Sequence, residues 1–111
     1  MPMTIYTIKH DGSEKKQVST EPGTNWAPFP APDGDHYAFV RMLPPHNFEV
    51  FLGSISTGKL TRLTYNDSFD GFPAISNDGN TLTFSSGRQA AEGKRELHQY
   101  TMDISSLNIG K

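Results

Sequence analysis

Short apolar runs, each closed by Gly, Pro, Asp, Asn or Ser, divide this chain along its whole length. Residues 4–8 alternate and are rich in β-formers, which predicts a strand. His10-Asp11-Gly12-Ser13 is a turn, and 16–20 is a short polar strand of the kind found at a sheet edge. A Pro-Gly loop over 21–24 leads to a proline-rich strand at 26–31, which must be short or turn its prolines away from a neighbour. Pro32-Asp33-Gly34-Asp35 is the next turn. The strand over 36–42 puts Tyr37 and Phe39 on one face and Ala38 and Val40 on the other. Strands over 49–55 and 60–64 follow, joined by the turn Ser56-Thr57-Gly58-Lys59. After a polar stretch, strands are predicted at 72–76, 81–86 and 96–103, with a charged loop over 87–95. The pattern over 104–111 fits either a fourth element or a fraying end, and nothing sustains a long helix.

One hairpin occurs twice. Asp33-Gly34 and Asp78-Gly79 are 45 residues apart, as are Pro28 and Pro73, and Phe39 and Phe84. The N-terminal pair joins the same register: Ile5-Tyr6 matches Val50-Phe51, and Gln17-Val18-Ser19 matches Arg62-Leu63-Thr64. A recurrence at this period predicts a repeat architecture with one supersecondary unit per repeat. Four antiparallel strands in about 40 residues describe a propeller blade. The fold class expected is therefore all-β, with antiparallel four-stranded blades of a partial β-propeller, about two in number. Residues 1–24 would be the third and fourth strands of a preceding blade, 25–66 a complete blade, and 67–111 a second blade without a clear fourth strand.

Composition narrows function more than fold. The 111 residues fit one domain. Ten basic and 12 acidic side chains give a net charge of −2 with no long block of either sign, so no nucleic-acid partner is expected. No apolar run approaches a membrane span, so no membrane insertion is expected. The N-terminus lacks the regions of a signal peptide, and the compartment is left open. With no cysteine, disulfides and thiolate chemistry are excluded.

The pattern Pro-x-x-Ser-x-Asp-Gly, then an alternating run ending in Phe, then Thr-Gly-x-x-x-x-Leu-Thr, is carried by Pro73, Ser76, Asp78, Gly79 and Phe84 and by Thr57, Gly58, Leu63 and Thr64. It resembles the TolB-type β-propeller repeat, and Ser85-Ser86-Gly87-Arg88 is similar to that family's ending of the second strand. Ala31 and Asn77 depart from its usual Ser-Pro-Asp-Gly turn. The resemblance implies a non-catalytic module for protein or peptide binding, in a family exported to the periplasm. It also implies propellers of six or seven blades, against about two here. Since each blade needs a neighbour on both faces, self-association or a missing remainder of the propeller is expected, with two apolar end faces otherwise wet.

In a propeller the first strands line the channel. The expected channel-mouth residues are Asn25, Trp26, Asp70 and Gly71, ringed by His46, Asn47, Arg88, Glu92, Lys94 and Arg95. The binding candidates are thus Asn25, Trp26, His46, Asp70, Arg88 and Arg95. For Asn25 and Asp70, a ligand site and simple capping of strand ends both stay open. Trp26 is either a binding anchor or a packing residue between sheets. Arg88 is either an anion binder or half of an ion pair. Asp33 and Asp78 are expected to hold turn amides.

No catalytic residue, metal or cofactor is assigned. The four histidines lack metal-ligand spacing, and neither a Gly-x-Ser-x-Gly elbow nor a phosphate loop occurs. The alternative reading is the propeller portion of a larger exported enzyme, either a serine-peptidase gate or an oligogalacturonate-lyase-like channel. A third is a remnant without function of its own.

Overall fold

The computed structural model describes residues 3–19, 23–66, 68–88 and 96–110. Strands β1 (Tyr6–Thr7) and β2 (Lys16–Gln17) form a two-stranded ribbon. Strands β3 (Asn25–Pro30), β4 (His36–Leu43), β5 (Asn47–Ser54) and β6 (Leu60–Arg62) form a four-stranded sheet in that order. Strands β7 (Asp70–Ile75), β8 (Thr81–Ser86) and β9 (His98–Asp103) form a three-stranded sheet. Every pairing between these strands is antiparallel. The architecture is all-β, with antiparallel sheets arranged as in part of a β-propeller.

Alternation along β4 sorts the core into two layers. Tyr37 and Phe39 pack with Ile5 against the ribbon. Ala38 points the other way, into a cluster with Val50, Leu52, Ile75, Leu82 and Phe84 between the two larger sheets. Burying a side chain such as Phe84 contributes about 1.5–3 kcal/mol, so this layer holds the sheets together. The same ring pair recurs in each sheet: Phe39 opposite Phe51 and Phe84 opposite Tyr100, both with centroids 5.9 Å apart.

The 45-residue period extends to single hydrogen bonds. The Ile5 N–H donates to Ser19 Oγ (2.8 Å), and the Val50 N–H donates to Thr64 Oγ1 (2.9 Å). In the ribbon, the amides of Val18 and Ser19 both reach the Ile5 carbonyl; in the four-stranded sheet, those of Leu63 and Thr64 both reach Val50. This doubling ends the ladder early, so β2 and β6 are shorter than the runs predicted at 16–20 and 60–64. The hairpin turns match as well. Asp33 Oδ1 accepts from the amides of Asp35 and His36, and Asp78 Oδ1 accepts from the Asn80 amide and the Ser76 hydroxyl. Gly34 and Gly79 both stand at φ +77.

Among the described residues, the segment after β9 does not pair as a fourth strand but docks. A 3-10 turn over Ser105–Leu107 sends it back beneath the sheets, with Ile104 and Ile109 buried in the inter-sheet core. The outward face of the three-stranded sheet also differs from expectation. Where the four-stranded sheet has Ala38, Val40, Val50 and Leu52, register places Thr83, Ser85, Gln99 and Thr101. That end is polar, and the Gln99 amide donates to Ser85 Oγ (2.8 Å). The apolar end is the ribbon, where Met3, Tyr6 and Ile8 are exposed.

Candidate functional site

The first strands of the two larger sheets carry the same defect. Register shifts between Trp26 and Phe29 in β3, and between Gly71 and Ala74 in β7. At each shift a non-glycine residue holds a positive φ, Ala27 at 55° and Phe72 at 50°. A bulge of this kind kinks a strand and re-aims its side chains, and such strain collects at functional sites. Phe72 emerges 53% exposed. Its ring meets Trp26 edge-on at 5.9 Å and Phe69 at 5.8 Å, while Phe48 closes the group at 6.0 Å from Trp26. Gly71 makes room for this: a β-carbon there would lie 2.5 Å from the Phe69 ring.

Beneath the aromatic group lie the polar residues that begin each first strand. Asn25 is buried; its Oδ1 accepts from Arg41 Nη1 (2.6 Å), and its Nδ2 donates to the Met3 carbonyl (3.3 Å). Asp70 is wholly buried, and its Oδ2 accepts from Arg88 Nη2 (2.9 Å). In both repeats, then, a buried oxygen on the first strand holds an arginine. Arg88 is locked further by Ser86 Oγ (2.8 Å) and lies over the rings of Phe84 and Tyr100.

Asp70 Oδ1 has no N–H or O–H donor among the described residues. The Asp70 carboxyl group is in hydrogen-bond contact with that of Glu49, a side chain with no exposure at all. Glu49 Oε2 accepts from Arg62 Nη2 (2.6 Å) and the Asn66 amide (2.7 Å), and Oε1 accepts from the Thr64 hydroxyl (3.0 Å). Burial first, and then the Asp70 carboxyl, push the Glu49 pKa up, against the lowering pull of Arg62, Asn66 and Thr64.

Of the residues expected at the channel mouth, the structure brings Trp26 into the aromatic group and Asn25, Asp70 and Arg88 into the polar layer beneath it. His46 is exposed in the loop between β4 and β5. Asn47 begins β5 with its Oδ1 buried and without a donor among the described residues. Arg95, with Glu92 and Lys94, lies outside the described residues. Sequence reasoning passed over Glu49, Arg62, Phe48, Phe69 and Phe72. One signal was available for Glu49: it is a lone charge inside the apolar run Phe48-Glu49-Val50-Phe51-Leu52. Among the described residues no three His, Asp or Glu side chains gather as metal ligands, and no helix is long and apolar enough to cross a membrane.

No protein-family model matches the chain, and no curated protein is similar to it at a significant level. Solved structures are similar. A protein from Agrobacterium tumefaciens described as a TolB superposes with a TM-score of 0.79 at 20% identity, over 92% of this chain and 34% of its own. TolB from Acinetobacter baumannii superposes with a TM-score of 0.76 at 22% identity, over 91% of this chain and 24% of its own. The chain thus spans between a quarter and about a third of these proteins, and what it shares with them is the TolB-like β-propeller fold.

Proposed function

We propose that the chain is a non-catalytic, TolB-like propeller module that binds a protein or peptide at the face where β3 and β7 begin. The observation that supports this reading is Phe72, a large apolar side chain held outward by a strained backbone and braced by Trp26 and Phe69. Aromatic anchors with a braced base are typical of interface hot spots, and holding one exposed costs stability that a partner's contact would recover. In this reading Trp26 braces the anchor, while Asn25 and Asp70 support it from below. His46, exposed between β4 and β5, belongs to the polar rim, and Arg88 holds Asp70 in place.

The sheets divide, on the same reading, into a half blade over 1–24, a blade over 25–66 and a blade over 67–111. Further copies, or the rest of a longer polypeptide, complete the ring at the apolar ribbon end. A solution mass separates the two: a multiple of the chain mass supports self-assembly, and a monomer with a Met3-Tyr6-Ile8 surface open to solvent supports a remainder elsewhere.

The binding reading is tested by photocrosslinking in the producing cells. Benzoylphenylalanine is placed at position 72 and, as a control on the polar outward face, at position 101. A discrete adduct at 72 that is absent at 101 is expected. Equal yields at the two positions, or none at 72, would sink it.

A further inference from the structure

The meeting of Glu49 and Asp70 has a chemical consequence. Two ionised carboxylates cannot face one another without water or a cation between them, unless a proton is shared. Asp70 Oδ1 is buried without a donor among the described residues, and the Glu49 carboxyl is in hydrogen-bond contact with the Asp70 carboxyl, so a proton on Glu49 can supply one. A cation fits poorly, because Arg62 on Glu49 and Arg88 on Asp70 already supply one positive charge to each carboxyl group. We propose that Glu49 and Asp70 hold one proton between them, as a hydrogen bond from the Glu49 carboxyl to Asp70 Oδ1, and that this bond makes the junction of the two larger sheets weaken as pH rises.

Among the described residues, cations and donors surround the pair. From β6 and the segment after it come Arg62, Thr64 and the Asn66 amide. From β8 and its end come Ser86, opposite Asp70, and Arg88. On β9, His98 lies opposite Ser86 but is exposed and near Glu96. On β4, Arg41 stands opposite Glu49 and donates to Asn25 on β3. Thus Glu49 lies among cations and donors, yet its nearest unsatisfied neighbour is an acid.

The sign follows from proton counting. The unfolded chain releases the Glu49 proton near the ordinary glutamate value of about 4.3, and the folded chain keeps it to higher pH. The folded state binds more protons between those two points, so stability falls as pH rises through that window and levels off above it.

The test reads Glu49 directly. The carboxyl carbon of Glu49 is followed by carbon-13 NMR against pH in the wild-type chain and in Asp70→Asn, whose side-chain amide can donate to an ionised Glu49. A wild-type midpoint above that of an exposed glutamate, moving down in Asp70→Asn, is the expected result. A wild-type midpoint at or below the ordinary value overturns the proposal, and that measurement needs no variant to fold. In a second arm, Glu49→Gln supplies a fixed N–H to Asp70 Oδ1. Its melting temperature should fall less than that of the wild type as pH rises above the ordinary glutamate value. Parallel profiles would also overturn it.

Discussion

Ala27 and Phe72 occupy the same left-handed backbone well, at φ 55° and 50°, at equivalent bulges of β3 and β7. Neither is a glycine, and the well costs an L-residue about 1–2 kcal/mol. Since the two sites are 45 residues apart, the bulge belongs to the repeat and not to either sequence alone. Ala27→Gly should therefore relieve strain and raise the melting temperature by a few degrees, at about 4–8 °C per kcal/mol for a domain of this size. The gain is offset in part by the added freedom of glycine in the unfolded chain. Thermal unfolding followed by circular dichroism checks this; a lower melting temperature would mean that the bulge is not strained.

Gly34 and Gly79 offer a matched pair. Both stand at φ +77 in equivalent turns, so alanine carries the same backbone cost at each. A β-carbon at Gly34 meets nothing within 4 Å, whereas at Gly79 it lies 2.6 Å from the backbone of Gly110. Gly34→Ala should cost about 1–2 kcal/mol. Gly79→Ala should cost more, because the returning C-terminal segment must shift and loosen Ile109 from the core. Urea unfolding of the two variants compares them, and equal losses would show that this segment is not docked against the turn.

The hydroxyls of Ser19 and Thr64 each receive an amide, from Ile5 and Val50, in place of a ladder carbonyl. Both are buried. Removing such an acceptor leaves a buried N–H unpaired, at a cost of about 1–3 kcal/mol. Thr64→Val keeps the shape but also deprives Glu49 of a donor, so it should lose more than Ser19→Ala. Chemical denaturation midpoints decide the order, and a neutral Thr64→Val would argue against the hydrogen bond.

Acid should destabilise the chain through its turn carboxylates. The Ser54 hydroxyl and then the Ser56 amide hold the Asp35 pKa down; the Ser76 hydroxyl and then the Asn80 amide do the same for Asp78. A carboxyl lowered on folding contributes stability above its unfolded value of about 3.9, and that contribution is lost as pH falls through the folded value. Asp35→Asn and Asp78→Asn should thus flatten the drop in melting temperature between about pH 4 and about pH 2. Slopes unchanged from wild type would refute the assignment. This limb runs opposite to the one carried by Glu49, so the two can be read separately.

Much of the fold was legible along the chain because its information is local. A strand has a period of two, an Asp-Gly turn has its own dihedral demand, and the 45-residue recurrence needs no coordinates. The residues Phe39, Phe84, Ser19 and Thr64 declared their equivalence by position alone. The polar outward face was missed, although Thr83 and Ser85 stand one repeat after Ala38 and Val40.

What folding alone decided is which distant groups share a space without water. Nothing near Glu49 in the chain announces Asp70, and nothing near Asp70 announces its exposure of zero. Trp26 and Phe72 lie in different sheets, and only packing sets their rings edge to edge. Local pattern determines the strands because a backbone hydrogen bond and a side-chain alternation depend on neighbours in sequence. The site depends on neighbours in space, where burial removes solvent and sets two acids from distant strands against each other.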